Sequence, residues 1–168
     1  MKYIIFIPIL IFLSLISAHA QEGDNSVSVS AARYIPSRTS IALQVGNRKI
    51  PITVLQYGEA NGIVCINVHD NETASVEGAK AVLEITGGTL IKIENYKQRV
   101  IRFKLNGISY GFDPNRIYSR VGIGQTLRDN RRVSKPAMDE IEKFAQRVLE
   151  LIPDSASCIV ALHNNTEE

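Results

Sequence analysis

The run Ile63-Val64-Cys65-Ile66-Asn67-Val68 constrains the fold of this chain more than any other segment. Apart from Asn67 its side chains are all apolar, and they follow one another without alternation. A strand with water on one face alternates polar and apolar residues. A continuous apolar run of this length therefore predicts a strand covered on both faces, as in a parallel sheet with helices on either side. The run ends at His69. A helix is predicted over about Thr73–Ile85, with Val76, Ala79 and Leu83 at helical spacing and Lys80 as the polar exception. Gly87-Gly88 stops it, and Thr89–Ile93 reads as the next strand.

The flanking segments extend this unit. Ile41–Val45 and Ile50–Tyr57 are strand-like and meet at Gly46-Asn47, a tight-turn pair. Val100–Leu105 alternates, with Ile101, Phe103 and Leu105 on one face and Arg102 and Lys104 on the other. Asn106-Gly107 signals a hairpin, and Ile108–Phe112 returns from it. Ser119–Arg132 is polar and basic with glycines at 122 and 124, and reads as a loop containing one helical turn. Ser134 caps a helix with Pro136 in its first turn. Its apolar stripe is Ile141, Phe144, Ala145, Val148, Leu149 and Ile152, and Pro153-Asp154 ends it. Ser157–Leu162 is the last strand, with His163 immediately after. This order predicts an α/β domain: a mixed, largely parallel central sheet flanked by helices, with a β-hairpin as an antiparallel excursion. The domain is expected to span 40–168, behind a loose polar leader at 21–39.

Residues 1–20 read as a secretory signal peptide. Lys2 precedes an apolar run from Ile4 to Ile16, and Ala18-His19-Ala20 offers a cleavage site before Gln21. The expected product is exported, periplasmic or extracellular, with no stable membrane span after cleavage. Removing Lys2 takes the 19 basic residues to 18 against 17 acidic ones. That balance gives no footprint for nucleic acid or an anionic membrane. The hydrophobic fraction of 45% is enough to build a core. Cys65 and Cys158 each lie in apolar runs and read as buried thiols, although export leaves a disulfide open.

Chemistry-bearing residues gather at strand ends. His69-Asp70-Asn71-Glu72 follows one strand, Asp113-Pro114-Asn115-Arg116 follows the hairpin, and His163 follows the last strand. Ligands of open α/β sheets bind outside the carboxyl ends of the strands. His69 and Glu72, three apart at a helix entry, fall on one side. With His163 they make a His-Glu-His set, which suits zinc with water in the fourth position and does not exclude other first-row metals.

The set H-x-x-E, D-x-N-R and a strand ending in histidine, spread over roughly residues 60–165, resembles the zinc carboxypeptidase superfamily. It looks most like the shorter branch that contains succinylglutamate desuccinylase and aspartoacylase. The resemblance implies one zinc ion held by His69, Glu72 and His163. It implies that Asn115 and Arg116 hold a substrate carboxylate, which a planar guanidinium grips with paired charge-assisted hydrogen bonds. The implied partner is a small peptide or an acyl-amino acid with a free carboxylate, cleaved at the neighbouring amide.

The family's general base is a glutamate well downstream of the third ligand. After His163 this sequence has Asn164, Asn165, Thr166, Glu167 and Glu168, and neither glutamate matches that spacing. Two readings follow: a hydrolase-like domain lacking its base segment, or a non-catalytic module or fragment that holds zinc and a carboxylate. For an oxyanion-stabilising arginine, Arg120, Arg128, Arg131 and Arg132 are candidates by proximity, against the simpler reading of a solvated basic loop. The sequons at Asn71 and Asn164 fall within the expected site, where a glycan would block it.

Overall fold

The computed structural model describes residues 33–59, 62–69, 72–95, 98–129 and 133–162. The expected signal peptide and most of the expected leader lie outside this set. The elements in chain order are β1 (Pro36–Val45), β2 (Arg48–Tyr57), β3 (Ile63–Asn67), α1 (Thr73–Thr86), β4 (Gly88–Ile93), β5 (Ile101–Leu105) and β6 (Ile108–Phe112). A 3-10 turn (Pro114–Arg116), α2 (Arg120–Asp129), α3 (Lys135–Leu149) and β7 (Cys158–Leu162) complete it.

The five-stranded sheet has the order β1-β2-β4-β3-β7. The apolar run forms β3, with parallel neighbours on both sides: Cys65 lies opposite Leu90 of β4 and Val160 of β7. Both faces of β3 are covered, as its composition requires. Val64 and Ile66 enter one core and Cys65 the other. The β1–β2 and β2–β4 pairings are antiparallel. The sheet is therefore evenly mixed where the sequence suggested a largely parallel one. The Gly46-Asn47 turn makes β1–β2 antiparallel, and β2 in turn meets β4 running the opposite way.

β5 and β6 form a two-stranded sheet of their own, turned at Asn106 and Gly107, both at positive φ (51° and 79°). Such a turn matches the twist of the strands it joins. The hairpin belongs to the larger core: Phe103 stacks on Tyr110 at 5.6 Å, and Phe112 meets Phe144 of α3 at 5.7 Å. Ile141, Phe144, Ala145 and Val148 are the buried stripe of α3, and burial of each large member contributes about 1.5–3 kcal/mol. Ser134 Oγ accepts from Ala137 N at 3.3 Å, which makes it the predicted cap. On the other face α1 buries Val76, Ala79 and Leu83 against Cys65, Leu90 and Leu162.

Two elements depart from the sequence reading. β1 begins at Pro36, so residues 36–39, expected in the leader, pair with 54–57. As an edge strand β1 can leave these polar residues in water while the ladder satisfies its backbone. The segment read as a loop holds α2, ten residues long. Ile123 and Leu127, four apart, are buried, and Ser119 Oγ accepts from Gly122 N at 3.1 Å at the helix start. No helix among the described residues is long and apolar enough to cross a membrane.

Candidate functional site

β3 hands the chain to Val68 and His69 just before α1 starts. The imidazole of His69 is buried between two carboxylates. Its Nδ1 lies 2.9 Å from Glu72 Oε1, and its Nε2 lies 3.0 Å from Asp113 Oδ1. The three-residue spacing works as expected: Glu72, at the N-cap of α1, turns back onto the ring.

Asp113 arrives from the end of β6 and is held on every side. Its Oδ1 also accepts from Asn115 N at 2.9 Å, which closes the 3-10 turn. Its own backbone N donates to Thr126 Oγ1 of α2 at 2.8 Å. Arg99 Nε donates to Asp113 Oδ2 at 3.4 Å.

Burial alone would keep these groups neutral. For His69, burial pulls the pKa down, but the hydrogen bonds to Asp113 and then Glu72 outweigh it and the net shift is upward. For Asp113, burial pushes the carboxyl up. The hydrogen bonds from His69 and from Asn115 N, and then the His69 and Arg99 charges, bring it down to about 2. The buried ring is therefore held by a carboxyl group at each nitrogen, and its protonated form is favoured.

Of the predicted site residues, His69 and Glu72 are in contact. His163 lies outside the described residues, as do Asp70 and Asn71 of the first motif. Leu162, the last described residue of β7, pairs with Asn67 of β3, so the two strands end side by side. Asn115 sits in the turn that Asp113 closes. Arg116 is engaged with Asp129 on α2, Nη1 to Oδ2 at 2.7 Å. Arg120 pairs with Glu142 at 3.0 Å and Asp139 at 3.6 Å on α3, a surface ion-pair group apart from His69. Arg131, Arg132 and the residues after His163 lie outside the described set. Among the described residues no group of three His, Cys, Asp or Glu side chains gathers as a metal site.

Sequence reasoning missed Arg99. Among the described residues it is the arginine that reaches the His69 cluster, and 69% of its side chain is exposed. It stands alone before β5, with no motif around it. The role of Asp113 was better signalled, because it opens D-x-N-R at the end of an apolar strand. α2 supports the turn that carries Asn115 and Arg116, and Gly122 is what permits the approach. A Cβ there would stand 2.3 Å from Arg116 O.

Comparison with family models, with curated proteins and with solved structures returned no match to this chain.

Proposed function

We propose that this is an exported zinc-binding, hydrolase-like domain that acts on an amide bond next to a free carboxylate, in a peptide or an acyl-amino acid. The observation that supports it best is the two-sided pairing of His69. A histidine that binds metal through one nitrogen characteristically has its other N–H held by a carboxylate, which fixes the tautomer and the ring plane. Asp113 stands in that relation to Nε2. The opposite nitrogen faces the Glu72 carboxylate at 2.9 Å. Two ligands at about 2.0–2.1 Å from one tetrahedral zinc stand roughly 3.3 Å apart. For both to ligate one ion, Nδ1 would have to give up its proton and the Glu72 oxygen would have to swing off the Nδ1–H axis. His163 is the third ligand in this reading.

In this reading His69, Glu72 and His163 would hold the ion, which would supply Lewis-acid chemistry toward a carbonyl and a water. The chain's own residues do the rest. Asp113 would keep the proton on Nε2, so that Nδ1, which faces Glu72, is the nitrogen that would turn to the ion. Arg99 presents its exposed guanidinium beside the buried cluster, where it can take the substrate carbonyl or carboxylate. Asn115 and Arg116 hold the substrate carboxylate once Arg116 leaves Asp129. Export rests on the cleavable apolar N-terminus.

The test is metal content. The protein is purified without chelator or metal-affinity resin, and zinc per chain is measured beside His69→Ala, Glu72→Ala and His163→Ala. About one zinc in the wild type and little in each variant is expected. A folded wild type without zinc would overturn the reading. Turnover of acyl-amino acids by the loaded protein then separates a hydrolase from a module that only binds.

A further inference from the structure

On the sheet face that α1 covers, side chains fall in rows set by register. One row, Leu55, Leu90, Cys65 and Val160, is apolar and forms the floor under the helix. The next row toward His69 is Thr53, Lys92, Asn67 and Leu162. In that row Asn67 is 0% exposed, and neither its Oδ1 nor its Nδ2 has a hydrogen-bond partner among the described residues. Lys92 and Leu162 flank it directly and do not satisfy it. Thr53 is already committed, donating to Glu94 Oε1 at 2.6 Å.

A buried carboxamide with nothing to bond is costly, and a leucine would fill the same place without that cost. The position of Asn67 supplies a reason for it. It precedes His69 by two residues and pairs with the last described residue of β7. α1 runs back along β3: Leu83 packs at Gly88, where β4 starts, which leaves the first turn of α1 over the row that holds Asn67. The amide therefore lies where the two strand ends and the helix start meet.

We infer that Asn67 is a positioning residue of the metal site. Its carboxamide is reserved for the outer sphere of an ion held by His69 and Glu72, through a bound water or a ligating carboxylate. This rests on the zinc reading above. Outer-sphere partners of this kind change metal affinity ten- to a hundredfold when removed.

The test compares wild type, Asn67→Leu and Asn67→Ala in two measurements: zinc affinity by titration against a chromophoric chelator, and thermal unfolding of the zinc-free protein. Both variants should lose at least tenfold in zinc affinity, while zinc-free Asn67→Leu melts at or above the wild-type temperature because an unsatisfied amide has gone. Unchanged zinc affinity in a folded variant overturns the inference and leaves the zinc site standing. A zinc-free Asn67→Leu that folds but melts well below wild type also overturns it, since Asn67 would then be structural. If the leucine does not fit, Asn67→Ala adds no volume and carries the affinity arm alone. A wild type that binds no zinc removes the functional reading, and this inference with it.

Discussion

Asp113 accepts a hydrogen bond from His69 Nε2 at 3.0 Å, between side chains 44 residues apart in sequence. The contact ties the end of the hairpin to the end of β3, and Glu72 completes the pairing of the ring on its other side. Removing one partner of a buried charged pair leaves the other uncompensated, which costs about 3–5 kcal/mol. Asp113→Ala should therefore lower the stability of the metal-free protein by about 2–4 kcal/mol in urea unfolding, the remaining Glu72 contact sparing part of the loss. It should also weaken zinc binding ten- to a hundredfold. Asp113→Asn, which keeps the size and one acceptor, should fall between. No change in either quantity would remove Asp113 from the site.

Arg116 and Arg99 have different partners. Arg116 is tied to Asp129, while Arg99 keeps an exposed guanidinium beside Asp113. Asp129→Ala breaks a partly exposed ion pair, so stability should move by no more than about 1 kcal/mol. It frees Arg116, and binding of an N-acyl amino acid to the zinc-loaded protein should tighten. Arg99→Ala should leave zinc content unchanged and weaken that ligand. Calorimetric titration reads both variants. Equal ligand affinity in Arg99→Ala and wild type would exclude Arg99 from the binding site.

What the sequence revealed, and what it withheld, follows from the range of the interactions. β3 was legible because burial on both faces leaves a continuous apolar run. The β5–β6 hairpin was legible because Asn106-Gly107 is a local requirement of its turn. His69 and Glu72 were legible because a spacing of three acts within one turn of chain. α2 was not, because its glycines carry low helix propensity and only Ile123 and Leu127 mark its buried side. Arg99 lacked any local pattern, and only the return of β6 brings Asp113 to it. Asn67 stood out as the polar break in an apolar run, but its lack of a partner among the described residues is a property of the packed sheet.

The two glycines of α2 should respond to the same substitution with opposite signs. In a helix interior Gly→Ala normally stabilises by about 0.5–1 kcal/mol. At Gly124 an added Cβ would meet only Arg128 Nη1 at 3.7 Å and Met138 Cε at 3.8 Å, ordinary contacts. Gly124→Ala should therefore show the full stabilisation. At Gly122 the added Cβ would meet the backbone carbonyl of Arg116 at 2.3 Å, and a backbone atom cannot swing aside. Gly122→Ala should destabilise by about 1–3 kcal/mol despite the better propensity. It should also weaken carboxylate binding, because the turn carrying Asn115 and Arg116 must shift. Urea midpoints at constant slope decide the comparison. A stabilised Gly122→Ala would mean that α2 does not press on the turn.

Cys65 and Cys158 are free thiols on the same face of neighbouring strands, offset by two residues in the β3–β7 register. Burial, and secondarily the nearby Cys158, push the Cys65 thiol up to about 12. The folded state thus holds this proton more tightly than an unfolded chain, whose thiol titrates near about 8.5. Its contribution to stability is intact below about pH 8.5 and is lost as pH rises from there toward about 12. The same shift removes the reactive thiolate at pH 8 by roughly three orders of magnitude, before any steric protection. Half-buried Cys158 should be alkylated by iodoacetamide in the native protein, and Cys65 only in urea. Mass spectrometry of the labelled peptides measures this directly. Rapid native labelling of Cys65 would mean that the covering of β3 by α1 opens readily. That would weaken the case for a site built at the junction of those two elements.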